Sequence, residues 1–182
     1  DRAIEIIFDY NLHEDLDRWG NYMTLVELYS GVLPKDPSTD EPLLDRKTHG
    51  AVLGNLGNAY SALGQVDKAI EYYEDALVIA REIGDRRGEG TDLGNLGIAY
   101  YALGQVEKAI EYYGDALVIA REIGDRRGEG NRLGNLGIAY YALGQVEKAI
   151  EYYEGALVIG EEIRDPKIIS FCEKNLGSLK NL

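Results

Sequence analysis

Along residues 88–103 apolar side chains recur at Leu93, Leu96, Ile98, Ala99, Tyr100 and Leu103, the three-and-four spacing of a helical stripe. Gly104 then predicts a stop, since a glycine past the last turn closes a helix without a Cβ penalty. A second stripe follows over 107–123, at Ala109, Ile110, Tyr113, Ala116, Leu117, Ala120 and Ile123. Gly124 ends it, and Asp125 is placed to cap the next helix by accepting from the free amides of its first turn. Connections of so few residues force antiparallel helix hairpins.

The pattern then repeats. Residues 85–124 and 125–164 agree at 33 of 40 positions, and a looser copy begins at Asp45. A fixed period of this length marks stacked units, none of which buries its apolar face alone. One variation supports the hairpin boundary. Asp85-Arg86 and Asp125-Arg126 become Asp165-Pro166 in the next unit, and proline is tolerated at a first helical position. Gly54, Gly57 and their mates 40 and 80 residues on lie inside helices, at a cost of about 1 kcal/mol each against alanine. A cost repeated at one register implies that something packs closely there.

The flanks are less regular. Aligning Gly20 with Gly64 makes 21–33 a degenerate second helix, with 3–16 as its partner and 35–42 as a turn-rich insertion. Residues 167–180 read as a lone first helix, the polar end cap such arrays need. The expected organisation is a degenerate unit and insertion over 1–44, three units at 45–84, 85–124 and 125–164, and a capping helix over 165–182.

Composition narrows the function. A net charge of -13 argues against nucleic acid, which needs clustered Lys and Arg. No apolar run reaches 18 residues, so no membrane span is expected. No signal segment opens the chain, which starts at Asp1 and ends on an unfinished unit, as an excised fragment would. The single Cys172 excludes an internal disulfide framework and fits a reducing, cytoplasmic setting.

The unit Leu53-x-x-Leu56-Gly57-x-x-Tyr60-x-x-x-Gly64, then Ala69-x-x-x-Tyr73-x-x-Ala76, resembles the tetratricopeptide repeat, and recurs at 93–116 and 133–156. It departs from the family pattern at position 4, Leu rather than Trp, and at position 32, where Arg81, Arg121 and Glu161 replace proline. The period of 40 exceeds the usual 34. Longer units of this kind are similar to those of kinesin light chain, Pins-type adaptors and the sensor regions of bacterial signalling ATPases. The resemblance implies an all-α right-handed superhelix (an α-solenoid) of antiparallel helix hairpins, and a protein-interaction role as adaptor or sensor.

It also implies that first helices line a concave groove. The groove positions would carry Asn55, Asn95 and Asn135, with Asn175 in the end helix, then Asn58, Tyr101 and Tyr141. An amide both donates and accepts, so a ladder of asparagines suits an extended peptide of any sequence, with tyrosines as apolar walls carrying a polar tip. The competing reading is that these asparagines only tie neighbouring helices together. Asp92 and Arg132 occupy matching positions, so the groove potential is expected to change sign along its length. A clamp for a terminal carboxylate is disfavoured, because Gly54, Asn131 and Asn135 stand where its cations belong. The many acidic residues fall on second helices, as a solvated outer face.

No catalytic constellation emerges. His13 and His49 lie outside the best repeats, and His49 takes the register of Glu89 and Glu129, as a surface substitution would. Gly88-x-Gly90-x-x-x-Gly94 follows a helix rather than a strand, unlike a phosphate loop. The chain therefore reads as a module, not an enzyme, without metal or cofactor, that binds an extended peptide or protein segment. The alternative is an architectural segment, or one that self-associates through its array ends into a homo-oligomer.

Overall fold

The computed structural model describes residues 22–32 and 45–179, all of whose regular elements are helical. They are α1 (Tyr22–Val32), α2 (Arg46–Ala62), α3 (Val66–Ile83), α4 (Arg86–Ala102), α5 (Val106–Glu122), α6 (Arg126–Ala142), α7 (Val146–Glu162) and α8 (Pro166–Leu179). The predicted helix over 3–16 and the turn-rich insertion lie outside the described residues. The chain is all-α and divides into two compact units, through Gly88 and from Glu89.

The caps follow the chemistry of the linkers. Asp45, Asp85 and Asp125 each accept through Oδ1 from a backbone amide three residues on, at 2.9 to 3.0 Å. The Asp165 carboxylate accepts from the amides of Lys167 and Ile168. Gly64, Gly84, Gly104, Gly124 and Gly144 adopt φ between +68° and +74°, the left-handed turn that closes each helix. Arg164 takes the same conformation at φ 55°, although it carries a side chain.

In the first unit, Leu25, Val26 and Tyr29 of α1 pack on Val52, Leu56 and Ala59 of α2. The other side of α2 closes on α3 through Leu53, Ala76 and Ile79. The second unit repeats the theme and ends with Leu176 and Leu179 of α8 against Ala149 and Tyr153 of α7. Burying a large side chain of this kind stabilises by about 1.5–3 kcal/mol.

The repeated helix glycines have a packing cause. A Cβ at Gly57, Gly97 or Gly137 would press into the ring of Tyr73, Tyr113 or Tyr153, which is 2 to 3% exposed in each case. The aromatic of each second helix thus packs against the backbone of its partner. Two expectations need correction. Ile98 and Leu103, counted in the apolar stripe of α4, are 47% and 38% exposed, because Leu93, Leu96, Ala99 and Tyr100 already fill the packed face. The register of Glu89 and Glu129 is not surface: both are buried, and Glu129 accepts from Arg121 Nε at 2.8 Å while also pairing with Arg126. His49 at that register is half-buried, and desolvation, with Arg46 adding to it, holds its imidazole below the usual range.

Candidate binding site

The asparagines lie on first helices and α8 because those helices keep one register. Asn55 in the first unit, and Asn95, Asn135 and Asn175 in the second, are all half-buried. Their partners differ. Asn175 Nδ2 donates to the Phe171 carbonyl of its own helix at 2.8 Å, so part of its capacity is already engaged. Asn58 is exposed, and its Oδ1 accepts from the Tyr73 hydroxyl at 2.9 Å, tying α2 to α3. Asn135 lines a depression of about 160 Å3 with Asn131, Gly134, Lys167, Ile168 and Phe171. Phe171 occupies this place because Gly134 leaves room for it, with a Cβ there meeting the ring at 3.1 Å.

Tyr141 is 48% exposed and Tyr101 half-buried. Both act electrostatically on the buried phenol of Tyr153, and Tyr101 and Arg132 act on that of Tyr113. Burial is the main reason both phenols are pushed up to about 12. Tyr101 thus influences both buried rings, Tyr141 that of Tyr153 and Arg132 that of Tyr113. Asp92 does not join them as an open groove charge, since it is only 7% exposed. The guanidinium of Arg132 rests on the backbone of α4 at Gly94, where a Cβ would run into it. Desolvation lowers its pKa from the usual arginine value, against the favourable influence of Tyr113 and Asp125.

Sequence reasoning missed a second repeated feature. Tyr60 stacks on Tyr72, Tyr100 on Tyr112 and Tyr140 on Tyr152, with ring centroids 5.1 to 5.2 Å apart. Lys68, Lys108 and Lys148 stand over these rings at 5.0, 3.8 and 5.0 Å. The signal was present as a tyrosine, a lysine and a tyrosine recurring at fixed offsets. In the second unit Tyr140, Tyr152 and Lys148 also border a wide cleft of about 780 Å3, with Arg121, Glu129 and Val158. Asp67, Glu71, Glu74, Glu107, Glu111, Glu147, Glu151 and Glu154 are exposed, as a solvated face requires.

The tetratricopeptide repeat family model matches residues 48–122 and 93–162, more than half of the chain. The chain belongs to the tetratricopeptide repeat family. No curated protein matches it. Among solved structures it is similar to BtubC (BKLC) from P. vanneervenii, with TM-score 0.80 and 25% identity over 93% of this chain and 69% of that one. A putative kinesin light chain from Podospora anserina with nearly identical TPR-like repeats matches at TM-score 0.76 and 23% identity, covering 98% and 87%. A signal transduction ATPase with a tetratricopeptide repeat sensor from Pyrococcus horikoshii matches at TM-score 0.81 and 22% identity. That match covers 98% of this chain and only 26% of the ATPase, so the likeness lies in a part of it. The family is a protein-interaction scaffold, and among the described residues no helix is long and apolar enough to cross a membrane.

Proposed function

We propose that the first helices of the units at 45–84, 85–124 and 125–164, with 165–182 as the cap, bind an extended peptide or partner segment without covalent chemistry. The reading rests above all on Asn55, Asn95 and Asn135, which hold one register and one half-buried state on successive first helices. An amide carries both a donor and an acceptor, which suits it to the main-chain groups of an extended ligand. Asn175, Asn58, Tyr101, Tyr141 and Arg132 are the further candidate contacts on these helices. The second helices carry exposed carboxylates, which keeps the other side solvated. The role is that of a cytoplasmic adaptor or sensor in signalling. Nucleic acid and lipid are poor candidates as partners for a surface with so few cations.

The test is replacement of Asn95 and Asn135 by alanine. Partner capture is expected to fall at least tenfold while the melting temperature stays within a degree or two, a loss of about 1.4 kcal/mol in affinity. A large fall in melting temperature with binding retained would instead assign the asparagines to helix packing. The near-identity of two units favours one rival, continuation of the array by another copy. Sedimentation over a concentration series reads that directly, and a mass that stays monomeric throughout excludes it.

A further inference from the structure

Two glycines in the second unit have no packing cause. Gly114 lies in α5, and a Cβ there would meet nothing within 4 Å. Gly155 lies in α7, where a Cβ would make only an ordinary contact with Leu133, at 3.6 Å. Glu74 and Glu154 stand at the first register in the other units, and Asp75 and Asp115 at the second, so each glycine replaces a carboxylate in one unit alone. Glycine is a poor helix former, and neither one receives a tyrosine ring as Gly97 and Gly137 do. Both border one feature. Gly155 lines the cleft of about 780 Å3 between α5 and α7. Gly114 shares a face of α5 with the lining residues Leu117 and Arg121, three and seven positions on.

Leu117, Leu133, Val158 and Ile159 form the apolar part of that cleft. Val158, at 61%, is the most exposed large apolar side chain among the described residues. The cations that line the cleft are already engaged: Arg121 Nε donates to Glu129, and Lys148 stands over the Tyr140 ring. At its edge, spacings of four and three residues set Glu147, Glu151 and Glu154 in one exposed row of α7 with Val158. Glu107 and Glu111 occupy the matching row of α5. Among the described residues none of these five carboxylates is in an ion pair.

We infer that this cleft is a second docking site, which takes an amphipathic helix of a partner protein, apolar face inward, with Lys or Arg along its flanks. A helix satisfies its own main-chain groups, which an apolar floor does not do for an extended segment. The missing Cβ atoms at Gly114 and Gly155 let it come close to both walls. From Lys148 to Ile159 the α7 wall runs about 16 Å, three turns of helix. A second copy of this chain would bring a like row of carboxylates against these, and nucleic acid would bring phosphates, so charge favours a basic partner. The site lies on second helices, apart from the asparagine register.

The probe is a short synthetic helix with leucines on one face and lysines flanking them. One reference peptide has the same composition with its leucines scattered off the face, and another carries glutamate in place of lysine. Binding is followed by anisotropy of the labelled peptides and by the methyl resonances of Leu133 and Val158. The proteins are the whole chain, Gly114→Gln with Gly155→Asn, and Asn95→Ala with Asn135→Ala. The glycine double variant restores side chains of the size other units carry there without adding charge, and should melt no lower than the parent. The probe is expected to bind the parent and the asparagine variant alike, and the glycine variant at least tenfold more weakly. Both reference peptides should bind the parent at least tenfold more weakly than the probe, and the Leu133 and Val158 methyls should move. Absence of probe binding, equal affinity for parent and glycine variant, or equal affinity for either reference peptide overturns the inference. So does a glycine variant that melts below the parent, since the glycines then have a packing role. Probe binding lost in the asparagine variant, or shifts confined to first helices, places the peptide elsewhere and overturns it too. A parent whose mass rises with concentration, while that of the glycine variant does not, gives the cleft to a second copy instead.

Discussion

Gly97 and Gly114 sit in the two helices of one hairpin, and alanine should act on them with opposite signs. At Gly97 a Cβ would stand 2.5 Å from two ring carbons of Tyr113, which is 3% exposed. Carbon atoms settle at about 3.5–4 Å, so the ring must retreat by roughly 1 Å into a close-packed interior. Such overpacking costs about 1–3 kcal/mol. Against it stands the helix propensity gained on replacing glycine by alanine, about 1 kcal/mol. The ring is rigid and wedged between helices, so the upper half of that range applies, and Gly97→Ala should destabilise by about 1–2 kcal/mol net. At Gly114 a Cβ meets nothing within 4 Å. Only the propensity term remains, and Gly114→Ala should stabilise by about 1 kcal/mol. Urea denaturation reads both as shifts in midpoint at an unchanged slope. The double variant Gly97→Ala with Tyr113→Leu should show a favourable coupling of about 1 kcal/mol or more, since the clash is removed once. A Gly97→Ala protein as stable as the parent, or two single variants shifting the same way, would refute the account of why the helix glycines recur.

Arg164 adopts φ 55° where the preceding hairpins turn on Gly84 and Gly124, at φ 69° and 68°. Arg164→Gly should therefore raise stability by about 0.5–1 kcal/mol, the relief of a left-handed side chain less the extra freedom of glycine in the unfolded chain; a lowered urea midpoint would contradict this. Arg126 holds the Glu162 carboxyl below its usual value of 4.5 through a direct side-chain hydrogen bond. A carboxyl depressed in the folded state contributes stability that is present above its unfolded pKa and lost as pH falls through the folded one. The melting temperature of the parent should thus drop more steeply below about 4.5 than that of Glu162→Gln, whereas matching acid slopes would show the pair to be inert.

The hairpins were legible because their determinants are local. The capping aspartates, the left-handed glycines and the three-and-four spacing each act within a turn or two of chain, and a 40-residue period repeats the message. What was not legible depends on which residues face each other across helices. Glycine at 97 and 137 announced a close approach, but only the packed hairpin shows that Tyr113 and Tyr153 make it. Glu129 looked like a surface residue, because nothing in its neighbourhood along the chain signals that Arg121 and Arg126 converge on it. Ile98 looked buried because the stripe admits it by spacing, although the face is already full.

A repeated scaffold that recognises one partner in one register must do so where its copies differ, since matching positions offer matching groups. The units beginning at Asp85 and Asp125 differ at seven places. Packing accounts for some of them. Gly160, in place of Ala120, admits Ile168, whose side chain would crowd a Cβ there at 2.9 Å. Arg164 in place of Gly124 lies in a turn, and Glu154 in place of Gly114 is exposed. Two differences fall on a first helix, Asn131 for Thr91 and Arg132 for Asp92. Asn131 lines the same depression as Asn135, and Arg132 rests its guanidinium on Gly94. Neither change improves an apolar contact or a cap. The two changes on a first helix are thus adjacent in sequence and lie beside the asparagine register. On the function proposed above, a shared amide ladder would hold a peptide main chain, and this pair would choose which peptide it is.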